Sequence, residues 1–268
     1  MKLSVFLKKL KTRFLQLFTK SNWNLIVELI RFEFKVADRN SILGILWSFL
    51  GPLAMLTVMY FIFRTRFGQG IRAYPLYLLL GIVCVSFFVT VTTYMLKIFF
   101  LNRDTVLNST VPRESIILSN LSIHSYKFII ELAFCFLLGI FYGLFTWKLI
   151  LLLLPLLVAY LGLVLGTSLL LSLFYCFARD IEHIWMIASR ILFFVTPIFY
   201  TLDRISPLAR KIVYWGNPLT PFLISFRQVF MGELNLPNYI YSLFLGSGFF
   251  IIGYYVFIVL ENIALERA

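Results

Sequence analysis

Residues 149–177 read LILLLLPLLVAYLGLVLGTSLLLSLFYCF, and no side chain among them is charged. A helix needs only about 20 apolar residues to cross ~30 Å of hydrocarbon, so this stretch is long enough to span a membrane. Comparable runs lie at about 42–63, 74–95, 116–146, 184–200 and 239–260. Of the 268 residues, 61% are hydrophobic and 13% charged, whereas a soluble domain has about 45–50% apolar and roughly 25% charged residues. One soluble core could not hide that much apolar surface. The expectation is an all-α integral membrane protein with six transmembrane helices. A soluble enzyme, a secreted disulfide scaffold and a disordered chain are excluded.

Interruptions refine the span pattern. Gly51-Pro52 should bend the first span, because proline lacks an N–H and its ring clashes with the preceding turn. A turn at Thr146-Trp147-Lys148 should fold spans three and four into a tight hairpin. Segment 201–238 carries Pro207, Pro218, Pro221 and Pro237 with Gly216 and Gly232, too many breakers for one straight crossing. Two short re-entrant helices fit it, a geometry tolerated only against protein or a water-filled cavity. Lys127 and Glu131, four apart on one helix face, are expected to neutralise each other. Cys84, Cys135 and Cys176 lie far apart inside spans, without metal or CxxC spacing, and read as small buried apolar residues.

The N-terminal region has a different pattern. Lys2, Lys8, Lys9, Lys11 and Arg13 interrupt any signal-peptide core. Leu3, Leu7, Leu10, Phe14 and Phe18 recur at helical spacing beside that basic face, as in a helix lying on anionic lipid. Over 22–38, Asn24, Glu28, Arg31, Lys35 and Asp38 form a narrow polar stripe, with Glu33 on the opposite side. Lys and Arg number 24 against 12 Asp and Glu. They flank apolar runs, so membrane lipid and orientation account for them and nucleic acid does not. With six spans, the side bearing both termini holds fifteen of them and the other side eight. The positive-inside rule therefore puts both termini in the cytoplasm, although Arg64, Arg66 and Arg72 run against it. Asn108-Ser109-Thr110 and Asn120-Leu121-Ser122 match the glycosylation sequon but fall on or near the cytoplasmic side.

Chemical motifs are few. No Gly-Lys pair occurs, so the chain has no P-loop of its own. His124 and His183 have no nucleophile or acid constellation beside them. Two charged features remain: loop 96–115, with Asn102-Arg103-Asp104 and Val111-Pro112-Arg113-Glu114, and Arg179-Asp180-Ile181-Glu182. Each reads either as solvated helix ends or as a docking surface for a cytosolic partner. Aromatic residues are abundant, with 30 Phe, 14 Tyr and 5 Trp. Most suit packing and interfacial belts. Trp47, Tyr60, Phe199, Tyr200, Tyr214 and Trp215, near broken backbone, could instead line a passage on which sugar C–H faces slide.

Five blocks in order resemble a known family, the ABC-2-type permeases that export polysaccharide or polyol-phosphate polymers. They are Glu33-Phe34-Lys35 followed by Asp38-Arg39-Asn40-Ser41-Ile42-Leu43-Gly44-Ile45-Leu46-Trp47 through Pro52; Val111-Pro112-Arg113-Glu114; Arg179-Asp180-Ile181; Thr196-Pro197-Ile198-Phe199-Tyr200; and Asn217-Pro218-Leu219-Thr220 with Arg227. Asp38-Arg39-Asn40 replaces the family's usual Arg-Tyr-Arg run, and Gly51 stands where Asn is common.

The resemblance implies a single transmembrane domain over 1–268. Residues 1–41 would be a cytoplasmic amphipathic region, 42–260 a six-span bundle with the broken external segment 201–238, and 261–268 a cytoplasmic tail. It implies a homodimeric channel in the bacterial cytoplasmic (inner) membrane for lipid-linked O-antigen, capsule or teichoic acid. Two copies of a separate ATP-binding subunit would hold ATP and Mg, leaving this chain with no cofactor, metal or catalytic residue. Glu33, Arg39, Asp104, Pro112, Arg113, Glu114, Arg179 and Asp180 would then face or support that subunit. A drug or lipid cargo, an integral-membrane glycolipid enzyme and an ion-driven secondary transporter are the competing readings.

Overall fold

A computed structural model describes residues 24, 26–28, 30–31, 46–101, 113–144 and 147–267, with backbone alone at 46–48, 147–150, 262 and 264–267. The described residues hold helices and turns without a strand. The helices are α1 (Leu46–Phe67), α2 (Tyr74–Leu96), α3 (Ile98–Leu101), α4 (Arg113–Phe141), α5 (Trp147–Phe177), α6 (Ile181–Val195), α7 (Pro207–Gly216), α8 (Leu219–Met231) and α9 (Leu236–Arg267), with a 3₁₀ turn at Leu202–Arg204. Four are long and apolar enough to cross a membrane: α2, α4, the 151–177 part of α5 and the 236–261 part of α9. The chain is a multi-pass membrane protein.

α2 is apolar on every face, which marks a helix enclosed by others. It packs against α1, α4, α5, α6 and α8, and Leu76, Leu78, Leu79 and Leu80 are fully buried. Tyr160 of α5, also fully buried, donates its hydroxyl to the Cys84 carbonyl at 2.6 Å. Its ring lies 5.3 to 6.0 Å from those of Phe87, Phe128, Phe222 and Phe226. One tyrosine thus joins α2, α4, α5 and α8. Cys84 and Cys135 are buried and free.

α5 and α9 form the most extensive helix pair. Lipid is as apolar as leucine, so helices in a membrane associate by close packing and favour small residues at the contact. A Cβ on Gly166 would collide with the Phe249 carbonyl, one on Gly246 with the Ala159 carbonyl, and one on Gly253 with Gly166. At these positions glycine lets the two backbones touch.

Several boundaries depart from the sequence reading. α1 runs unbroken through Pro52 to Phe67, four residues past the expected end, and stops where the Gly68 N–H turns back to the Phe63 and Arg64 carbonyls. The hairpin after α4 turns at Gly143, in the left-handed region at φ 67°, so Trp147 and Lys148 belong to α5 instead of forming the turn. The expected span 184–200 is a helix of only 15 residues, Ile181–Val195, about 22 Å long at 1.5 Å per residue. Pro197 biases the preceding residue toward extended backbone, and Thr196 has φ −65° and ψ 133°. Lys127 and Glu131 form no ion pair; Lys127 is exposed.

Segment 201–238 is broken as anticipated. Ser206 caps α7 by accepting the Ala209 N–H at 3.3 Å, with Pro207 in the first turn, where no N–H is needed. The Asn217 carboxamide bonds Thr196 Oγ1 at 2.7 Å and accepts the Leu219 N–H at 3.0 Å, opening α8. Gly232, at φ 75°, closes α8. α8 is buried along most of its length and is tied to α9 by polar contacts: Ser225 with Ser242 at 2.9 Å and the Asn238 amide with Ser225 at 2.7 Å.

Candidate functional site

Two groups of contacts define the opposite ends of the bundle. At the first, charged end, loop 96–115 meets the 178–182 turn and the last turns of α9. Lys97 Nζ lies 2.5 Å from the Glu182 carboxylate, with both side chains about one third exposed. This hydrogen bond holds the Lys97 ammonium above its ordinary pKa. The Arg179 guanidinium sits 5.1 Å from the Phe100 ring centre, and Phe99 stacks on Phe257 at 5.6 Å. Arg113, opening α4, pairs at 3.2 Å with Glu261, whose side chain is 1% exposed. Asp180 precedes α6 without a side-chain cap, and Glu114 lies in the first turn of α4.

Arg113, Glu114, Arg179 and Asp180 therefore share one end, while Glu33, Arg39, Asp104 and Pro112 lie outside the described residues. Sequence reasoning passed over Lys97, Glu182 and Glu261 as members of this end. Each is a charge at the margin of an apolar run, a position that ordinarily signifies only a solvated helix terminus.

At the second end, Tyr74 and Tyr77 donate their hydroxyls to the carbonyls of Phe199 and Tyr200 at 3.0 and 2.8 Å. Arg204 reaches the carbonyls of Arg66 and Gln69. Deeper lies Arg227 of α8, 4% exposed. It donates to the Tyr77, Pro197 and Ile198 carbonyls at 2.7 to 3.1 Å, and its guanidinium carbon is 3.3 Å from the Tyr77 ring centre. No carboxylate contacts it. The fork of donors instead satisfies carbonyls that the irregular 197–198 backbone leaves open. Gly81 makes room, since a Cβ there would lie 2.9 Å from Arg227 Nη2.

Beside Arg227 opens a cavity of about 910 Å³, lined by the 70–72 loop, α7, one face of α8 and the start of α9. Tyr214 and Trp215 line it, and the Tyr214 hydroxyl donates to Asn238 Oδ1 at 2.6 Å. The other aromatic candidates lie elsewhere. Phe199 is buried and stacks on Phe63 at 4.6 Å, Tyr200 bonds the Val195 carbonyl at 2.9 Å, and Tyr60 sits under Arg64. Trp47 belongs to the first turn of α1, its side chain outside the described residues. Among the described residues no cluster of His, Cys, Asp and Glu could hold a metal ion.

The geometry is that of a helical membrane domain with a charged plate at one end and an irregular, cavity-bearing cap at the other. The profile of the ABC-2 type transporter family matches residues 24–231. The chain belongs to the ABC-2 type transporter family. Its curated relatives include two O-antigen export system permease proteins RfbA of Klebsiella pneumoniae. Each is 28% identical to this ABC-2 chain, across 88% of the chain and 91% of the relative. An O-antigen export system permease protein RfbA of Myxococcus xanthus is 27% identical, across 80% of the chain and 82% of the relative.

Proposed function

We propose that the chain is the permease subunit of an ATP-driven exporter that moves a lipid-linked polysaccharide, an O-antigen or similar glycan, outward across the bacterial cytoplasmic membrane. The observation that carries this reading is similarity to O-antigen export permeases running through 80–88% of the chain, within a family matched over 24–231. The chain is a transport subunit and not an enzyme. ATP and Mg bind a separate ATP-binding subunit, present in two copies against a homodimer of this chain.

In this reading α1, α2, α4, α5, α6 and α9 are the six crossings, and α7 with α8 form the re-entrant external cap. The charged end and both termini are cytoplasmic. Arg113, Glu114, Arg179 and Asp180 meet the ATP-binding subunit there, with Glu33, Arg39, Asp104 and Pro112 supporting the same contact. Two links then carry its movement into the bundle. Lys97–Glu182 ties the end of α2 to the start of α6, and Arg113–Glu261 ties the start of α4 to α9. Trp47, Tyr60, Phe199, Tyr200, Tyr214 and Trp215 belong to the glycan passage or its support.

The test is deletion of the chain in its native cell. Surface glycan should disappear, lipid-linked glycan should accumulate on the cytoplasmic face, and the gene in trans should restore export. Unchanged surface glycan with efflux of a small amphiphile lost instead would replace the cargo with a drug or lipid.

A further inference from the structure

The cavity beside α7 and α8 has features that packing alone does not require. Tyr214, Trp215 and Tyr241 line it together, with ring centres 5.1 to 5.9 Å apart, and Trp215 is 65% exposed. Gln228 also lines it, and its side-chain carbonyl oxygen is buried without a hydrogen-bond partner. A buried acceptor left unmet lowers stability, and native folds keep few of them. Here the unmet acceptor borders open volume.

The charges around the cavity leave little for an ion to recognise. Arg210 pairs with Asp203 at 3.1 Å, and Arg227 is committed to backbone carbonyls. Arg72 and Glu233, of opposite sign, also border it. The remaining groups are ring faces and carboxamides, Asn235 and Asn238 among them. This combination recognises a neutral polyhydroxylated ligand: rings receive C–H faces, and amides exchange hydrogen bonds with hydroxyls. The volume falls in the ~300–1,000 Å³ range of ligand sites built from apolar walls and a few polar groups.

We propose that this cavity is a carbohydrate-binding site complete within one protomer. A neutral stretch of the glycan lies against Trp215 and Tyr241 and donates a hydroxyl to the Gln228 side-chain oxygen. The proposal rests on the glycan-export reading and adds the place where the emerging chain is held between strokes, so that it does not slip back while the ATP-binding subunits reset.

The experiment uses the full chain with its ATP-binding subunit, in native cells lacking the chromosomal copy. Photo-crosslinking p-benzoylphenylalanine replaces Tyr241, which lines the cavity, or Phe244, which is exposed on the same helix. Illumination during export should attach glycan to the protein from position 241 and not from 244. Adding Gln228→Leu should lower the adduct about fivefold, the worth of one neutral hydrogen bond, without lowering the melting temperature of the purified protein. A purely structural glutamine would change the melt and leave the adduct untouched. Should the position-241 variant not export, the same probe at Trp215 gives the reading. Cells that export glycan yet show no adduct from the cavity, or equal adduct from 241 and 244, overturn the proposal. Surface glycan that persists without the chain overturns the export reading itself.

Discussion

Replacing Arg227 with Met removes the buried guanidinium while keeping an unbranched apolar side chain. The Tyr77 carbonyl lies within α2 and retains a helical partner, but the Pro197 and Ile198 carbonyls bond to Arg227 from irregular backbone. Two carbonyls left unsatisfied cost about 1–3 kcal/mol each, and the desolvated contact with the Tyr77 ring is worth roughly 2 kcal/mol. Relief from holding a charge out of water offsets part of this, so R227M should destabilise by about 4 kcal/mol. Arg227→Lys keeps the charge without the fork and should lie between R227M and the native protein. Gly81→Ala supplies the control. Its Cβ would meet Arg227 Nη2 at 2.9 Å, so the substitution should cost less in the R227M background than in the native one. The assay is reversible denaturation in mixed micelles, followed by tryptophan fluorescence across the double-mutant cycle. A change below ~1 kcal/mol for R227M, or strict additivity with Gly81→Ala, would refute the account of this site.

Further outcomes follow from the two ends and the central helix pair. Gly166→Leu should separate α5 from α9 and cost ~3 kcal/mol or more, whereas Gly248→Ala, with open space at its Cβ, should leave the denaturation midpoint unchanged. Glu261→Ala strands Arg113 in partly buried surroundings and should cost about 3 kcal/mol, with Glu261→Gln intermediate in the same assay. Lys97→Glu should change stability by less than ~1 kcal/mol, because its partner contact is half-exposed, yet lower glycan exported per ATP hydrolysed; Lys97→Glu with Glu182→Lys should restore that ratio. The raised pKa of Lys97 means the contact's stabilisation is complete below the usual lysine pKa and lost only as pH rises through the higher folded value. The coupling ratio should therefore stay flat through neutral pH; a sharp loss near neutrality would exclude this pair as its carrier.

The membrane class and most spans were legible because long apolar runs admit few alternatives. Boundaries were less legible, since composition does not say where a backbone turns. Gly143 ends the α4 hairpin through a positive φ, and Thr196-Pro197 truncates α6, although the hydrophobic run continues through both. The broken segment 201–238 was readable from its prolines. The burial of α8 within the bundle was not, because it depends on Asn217, Ser225 and Asn238 meeting partners on other helices. Arg227 stood out as a charge between Phe226 and Gln228, yet nothing local indicated that carbonyls from two other segments would receive it. The charged end was half legible: Arg113 and Arg179 lie in recognisable blocks, while their partners Glu261 and Phe100 come together only in three dimensions.

The most direct measurement is the composition of the native assembly. Mild solubilisation of native membranes, isolation through a tag on this chain, and quantitative mass spectrometry should find an ATP-binding subunit at one copy per permease. Its ATPase activity should rise when lipid-linked glycan is supplied. A chain that purifies without any ATP-binding subunit, from membranes that still export glycan, would contradict the central claim.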